Sequence, residues 1–98
     1  MRDEHGRRVL PRSEQRALKA RAHHLRPVVM IGQRGLTEAV MEELEIALEA
    51  HELIKISVRL GTREAGEEAV ETICHDLDAA CVNRIGRTAV LYRPAGGS

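Results

Sequence analysis

Pro27-Val28-Val29-Met30-Ile31-Gly32-Gln33-Arg34-Gly35-Leu36-Thr37 is the stretch on which the reading of the chain turns. Residues 28–31 form a short continuous apolar run, the pattern of a strand buried on both faces. Gly32-Gln33-Arg34-Gly35 breaks that run, and Thr37 can cap a helix from about Glu38 to Ala50. Leu36, Val40, Leu44, Ala47 and Leu48 would form the inner face of that helix. A strand that turns through two glycines into a helix is the first half of a parallel crossover unit.

On the amino-terminal side, Ser13 is a plausible cap for a helix running to about Leu25, where Pro27 disfavours helical geometry at Arg26. Leu18, Ala22 and Leu25 give it an apolar ridge at i, i+4, i+7. Residues 1–12 are polar, basic and without period, and read as a flexible leader. On the carboxyl side, Leu53 to Leu60 alternates apolar Ile54, Ile56, Val58 and Leu60 with Lys55, Ser57 and Arg59, so one sheet face is dry and the other partly wet. A third helix is expected from roughly Glu67 to Ala80, with Ala69, Val70, Ile73, Cys74, Leu77 and Cys81 in helical period. Val82–Ile85 and Thr88–Tyr92 close the domain as a hairpin around Gly86-Arg87. The tail beyond Pro94 reads as flexible. The fold class is therefore α/β: a single domain over residues 13–94, with a four-stranded mixed sheet and helices mainly on one face.

The 98 residues suffice for one domain, with 43% hydrophobic and 31% charged residues. No apolar run reaches the length of a membrane span, and residues 1–11 hold no signal-like stretch, so a cytoplasmic protein is expected. Cys74 and Cys81, seven apart on one expected helix, are too distant along its axis for a disulfide and read as small buried hydrophobes. The net charge of zero hides a segregation by segment. Residues 1–35 carry nine Lys/Arg against three Asp/Glu, residues 36–81 three against twelve, and residues 82–98 three against none. Such asymmetry fits one face for a polyanion and another that is merely solvated. With one Tyr, no Phe and no Trp, the chain has no aromatic platform on which to stack bases. RNA binding would have to use phosphates, sugars and shape.

Gly32, Gln33, Arg34 and Gly35 are the leading site candidates. Glycines allow a tight turn and close approach of a ligand, the following helix offers free N–H groups, and Arg34 adds a permanent cation. KH domains clamp nucleic-acid backbone with a GXXG loop by the same logic. The segment lacks the third glycine of a dinucleotide fingerprint and the GK[ST] of a P-loop. Arg16, Lys19 and His23 form a basic stripe beside the apolar ridge, continued by Arg12 and Arg26; Lys55 and Arg87 are further candidates. His23 and His24, adjacent on a helix, cannot readily share an ion, and Cys74-His75 lacks the other ligands of a zinc site. Glu42, Glu43, Glu45 and Glu49 spread around their helix instead of converging, and no serine or cysteine has a nucleophile context. No metal, cofactor, small-molecule substrate or enzymatic activity is expected.

Residues 25–37 resemble the signature of the CRM domain, the chloroplast RNA splicing and ribosome maturation family, in its stand-alone bacterial YhbY-like form. His51-Glu52-Leu53-Ile54-Lys55-Ile56 is similar to that family's second-strand signature, and Ile85-Gly86-Arg87 with Val90-Leu91-Tyr92-Arg93 to its closing hairpin. The resemblance covers about residues 13–94. It implies a fold similar to the carboxyl-terminal domain of translation initiation factor three. It also implies binding to structured RNA through the GXXG loop and a neighbouring basic surface, with ribosomal RNA or precursors of the large (50S) subunit as partner. The family often has Lys directly after the first glycine, where this chain has Gln33. The competing reading is a protein-docking adaptor that uses the acidic helices.

Overall fold

The structure, a computed structural model, describes residues 8–95. Along the chain lie α1 (Arg12–Ala22), β1 (Pro27–Ile31), α2 (Glu38–His51), β2 (Leu53–Val58), α3 (Arg63–Asp76), β3 (Ala80–Ile85) and β4 (Thr88–Tyr92). The sheet order is β1-β2-β4-β3, with β1 parallel to β2 and the remaining pairs antiparallel. The expected α/β class, element order and mixed four-stranded sheet are all present.

The alternation in β2 explains the two layers. Ile54, Ile56 and Val58 point to one face, where Leu44 and Leu48 of α2 and Val70 and Ile73 of α3 complete the main core. Ile31, Leu44, Ile56, Ile73 and Leu91 are fully buried there. Burying each such side chain stabilises the fold by about 1.5–3 kcal/mol. Leu53 points to the opposite face and meets Leu18 and Ala22 of α1 together with Val82 and Val90, a second and smaller core. Two helices thus seal one face of the sheet, and α1 covers part of the other.

Several boundaries differ from the sequence reading. Helix α1 starts at Arg12 behind Pro11, which makes no side-chain cap, so Ser13 lies inside the helix. It ends at Ala22, and Leu25 closes a turn onto the Ala22 carbonyl at 3.0 Å. Strand β1 is buried on one face only: it is an edge strand, and Val28 and Met30 are 53% and 58% exposed. Helix α3 lies about four residues upstream of its expected span. The Thr62 hydroxyl accepts from the Ala65 N–H at 3.0 Å and sets the start at Arg63. The chain leaves α3 after Asp76 and turns through Asp78 at φ 55. Cys81 therefore sits on β3 and is exposed, whereas Cys74 is buried on α3. Arg8 to Leu10, expected in the leader, are seated: the Arg8 guanidinium donates to the carbonyl and carboxylate of Asp78, and Leu10 packs on the smaller core. Residues 1–7 and 96–98 of the expected leader and tail lie outside the described residues.

Candidate nucleic-acid interface

The Gly32–Gly35 turn joins β1 to α2 as the sequence requires. Gly35 has φ 72, a left-handed value that L side chains resist, and its N–H closes the turn on the Gly32 carbonyl at 2.9 Å. Thr37 caps α2 by accepting from the Val40 N–H at 3.2 Å. Gly32 is different. Its φ is not left-handed, and nothing lies within 4 Å of where a Cβ would stand. Glycine at that position leaves open space beside the backbone, which serves approach from outside and not the turn itself. Arg34 at the tip is exposed. Gln33, also exposed, donates its amide to the Arg59 carbonyl at 3.2 Å, so it braces the neighbouring loop.

That brace joins the turn to the uncovered part of the sheet. The Arg59 N–H donates to the Ile31 carbonyl at 2.8 Å, and its Nε to the Ser57 hydroxyl at 3.3 Å. Arg59 thereby continues the row Lys55, Ser57 along the face that α1 half covers. Lys19 and His23 of α1 border a groove on that face, with Lys55, Asn83 and Thr88 on its floor. A second hollow brings Arg26 beside Lys55 and His51. Of the expected site residues, Gln33, Arg34, Lys19, Arg26 and Lys55 thus lie around one continuous surface. Arg12 and Arg16 extend the stripe along α1 and are exposed, without a groove of their own. Arg87 lies in the β3–β4 turn at the same end of the sheet, where its carbonyl accepts from the Val58 N–H at 2.7 Å.

Arg59 was legible as a β2 residue but not as a site residue, since only the register shows that it touches Gln33. Arg63 was likewise missed, and Arg84 reads from the sequence as either RNA-facing or merely solvated. The register against β4 shifts between Cys81 and Asn83, so alternation counted from the start of β3 does not assign the faces of Asn83 and Arg84. The ends of β1 and β2, the starts of α2 and α3 and the β3–β4 turn all meet at one end of the sheet. In open α/β sheets ligands bind outside the carboxyl ends of the strands, where helix N-termini add positive potential.

Among the described residues no group of three His, Cys, Asp or Glu is placed to hold a metal, and no helix is long and apolar enough to cross a membrane. The His23 and His24 rings meet edge to face at 5.5 Å. Arg93 of the β4 end grips Glu45 of α2, stands 3.6 Å from Glu49 and donates to the Leu77 carbonyl. It ties α2 to the sheet and faces away from the basic surface.

The CRS1/YhbY (CRM) domain model matches residues 10–93. An "RNA-binding protein" of Haemophilus influenzae is 46% identical over 87 residues, covering 89% of this chain and 88% of the relative. A "Probable RNA-binding protein" of Pseudomonas aeruginosa is 37% identical over 85 residues, covering 87% of this chain and 82% of the relative. The solution structure of a hypothetical protein from Staphylococcus aureus superposes with a TM-score of 0.78 at 30% identity, over 89% of this chain and 91% of that one. A mixed α/β domain matched over almost its whole length in this way is a domain of the CRM type. The chain belongs to the CRS1/YhbY (CRM) domain family.

Proposed function

We propose that this protein docks on structured RNA, in the cytoplasm and without catalysis, during assembly of the large ribosomal subunit. The RNA backbone would lie along the Gly32–Gly35 turn and the surface formed by Lys19, Arg26, Lys55 and Arg59. One observation carries this reading. The turn and the open sheet face meet at Arg59, whose carbonyl holds Gln33 while its side chain lies along the sheet. A strand crossing from one to the other stays against cations throughout. Open space at Gly32 and the exposed Arg34 give the backbone its closest approach. Without aromatic platforms, affinity rests on phosphates and shape.

Titrating a structured fragment of large-subunit ribosomal RNA at several salt concentrations tests this directly. Affinity should fall steeply as salt rises, and Arg16→Gln/Lys19→Gln should flatten the log–log slope by about two with an unchanged thermal melt. In cell extracts the protein should sediment with 50S precursors. A flat salt response would sink the phosphate-docking reading. A protein docked through its acidic helices would bind without regard to the stripe.

A further inference from the structure

A second cluster of cations lies across the loop between β2 and α3, apart from the surface just described. It lines a cleft of about 530 Å³ between the start of α3, the end of β2 and the β3–β4 turn. Three arginines from three elements reach it: Arg63 in the first turn of α3, Arg84 on β3 and Arg87 at the turn. One carboxylate lines it, that of Glu67, and Arg63 Nε stands 3.5 Å from it. Among the described residues Arg84 has no such partner. Its Nε is buried without an acceptor, although leaving a buried donor unpaired is costly.

Gly66 shows how Arg84 is seated. A Cβ there would stand 2.5 Å from Arg84 Nη2, so the end of the guanidinium occupies the space beside the first turn of α3 that a side chain would take. Glycine at this point weakens the helix relative to alanine, and the gain is room for the cation. The Thr62 hydroxyl engages the Ala65 N–H, and the other early amides of α3 add positive potential at the mouth. A polar, open cleft with three guanidinium forks against one carboxylate selects an anion with several oxygens.

We propose that this cleft binds a phosphate group, supplied by the same RNA strand that the Gly32–Gly35 turn holds. The proposal rests on the RNA-binding reading above and adds a second contact to it. The connecting loop makes the pair reachable by one strand: at Arg59 it touches Gln33, and two residues later Gly61 and Thr62 line the cleft.

The test uses the isotope-labelled full chain and inorganic phosphate as probe, read by amide and Arg side-chain chemical shifts. Phosphate should move the Gly61, Thr62 and Gly66 amides and the Arg84 Nε–H saturably. Arg84→Met should abolish those shifts, and Lys19→Gln should keep them. Gly66→Ala serves as the second variant, because alanine favours the helix while its Cβ displaces the Arg84 guanidinium; it should lose phosphate with its fold intact. In the RNA arm, Arg84→Met should lower affinity roughly tenfold, as expected for one lost charge-assisted contact. Absence of saturable shifts at these amides in the parent overturns the cleft and leaves the GXXG surface standing. RNA that binds without moving them overturns the shared-strand arrangement. A parent that takes phosphate here but no RNA at all overturns the RNA reading, and the source of the phosphate with it.

Discussion

One face of the sheet is closed by α2 and α3, the other only in part by α1, and the difference follows the charge of the helices. The closing pair carries the acidic middle of the chain, and α1 carries the basic start. Segregation along the sequence becomes segregation across the sheet, so a net charge of zero describes a molecule with one acidic and one basic side. The acidic side spends its side chains on sealing: Leu44 and Leu48 go inward, and Glu45 is gripped by Arg93. The basic side leaves Met30 and Ile85 exposed at 58% and 70%, Arg59 exposed, and Lys55 and Ser57 only half-buried. A protein that needed only to fold would gain by covering them. The RNA surface proposed above would give that exposure a use.

The largest expected effect tests whether the two sides differ in stability as they do in closure. Ile56→Ala removes a fully buried side chain from the main core and should cost about 4 kcal/mol, because neighbours on both sides hold the cavity open. Leu18→Ala lies in the smaller core, where α1 can settle toward the sheet, and should cost nearer ~2.5 kcal/mol. Denaturant melts of both variants measure the gap. Equal costs would mean that α1 is as rigidly seated as α2 and α3.

The next effect separates turn geometry from binding. Gln33→Asp/Arg34→Asp keeps both glycines and should leave the melt nearly unchanged, although the Gln33 brace to Arg59 is lost. Placing two negative charges where a phosphate must approach should reduce RNA affinity about a hundredfold, near 2.7 kcal/mol. Gly35→Val is the contrast. A β-branched residue at φ 72 should lower stability by about 1–2 kcal/mol and weaken binding through the distorted turn. If the double Asp variant binds RNA normally, the loop is a turn and nothing more.

Much of this layout was legible in the residues because patterns of period 2 and 3.6 report directly on burial. The alternation after Leu53 placed β2 and its dry face, and Thr37 with the glycines placed the start of α2. Local signals failed where tertiary contacts decide. The run at residues 28–31 reads as doubly buried, yet β1 is an edge strand and only Val29 and Ile31 face the core. Gly66 reads as loop punctuation, yet it is a helical glycine that makes room for Arg84. Glu52 at φ 61 and Asp78 at φ 55 end helices in the left-handed region without being glycine. The site was half legible for the same reason. Arg34 and Lys19 sit in recognisable local patterns, whereas Arg59, Arg63 and Arg84 become candidates only through strand register and helix placement.

The smallest expected effect lies in the seam of the acidic side and depends on pH. Hydrogen bonding from Arg93 holds the Glu45 carboxyl below its ordinary value of 4.5, with burial opposing and the Arg93 charge assisting. A carboxyl whose folded value is depressed adds stability that is complete above the unfolded value and is lost as pH falls through the folded one. The Glu45 carboxylate shifts Arg93 further upward from its ordinary value, so its own proton plays no part below neutral pH. The difference in stability between the parent and Glu45→Gln should therefore be constant above about pH 5.5, shrink as pH drops past 4.5, and vanish once Glu45 is protonated. Its plateau should stay below about 1 kcal/mol, because the Glu45 side chain is 42% exposed and solvent screens the pair. A difference that persists unchanged at pH 3 would assign the loss to packing instead of charge. The same scan on Lys19→Gln should show no transition near pH 4.5 tied to that residue, because no carboxylate among the described residues is paired with Lys19. The contrast is between these two residues: Glu45 is fixed by Arg93, whereas Lys19 has no paired carboxylate among the described residues.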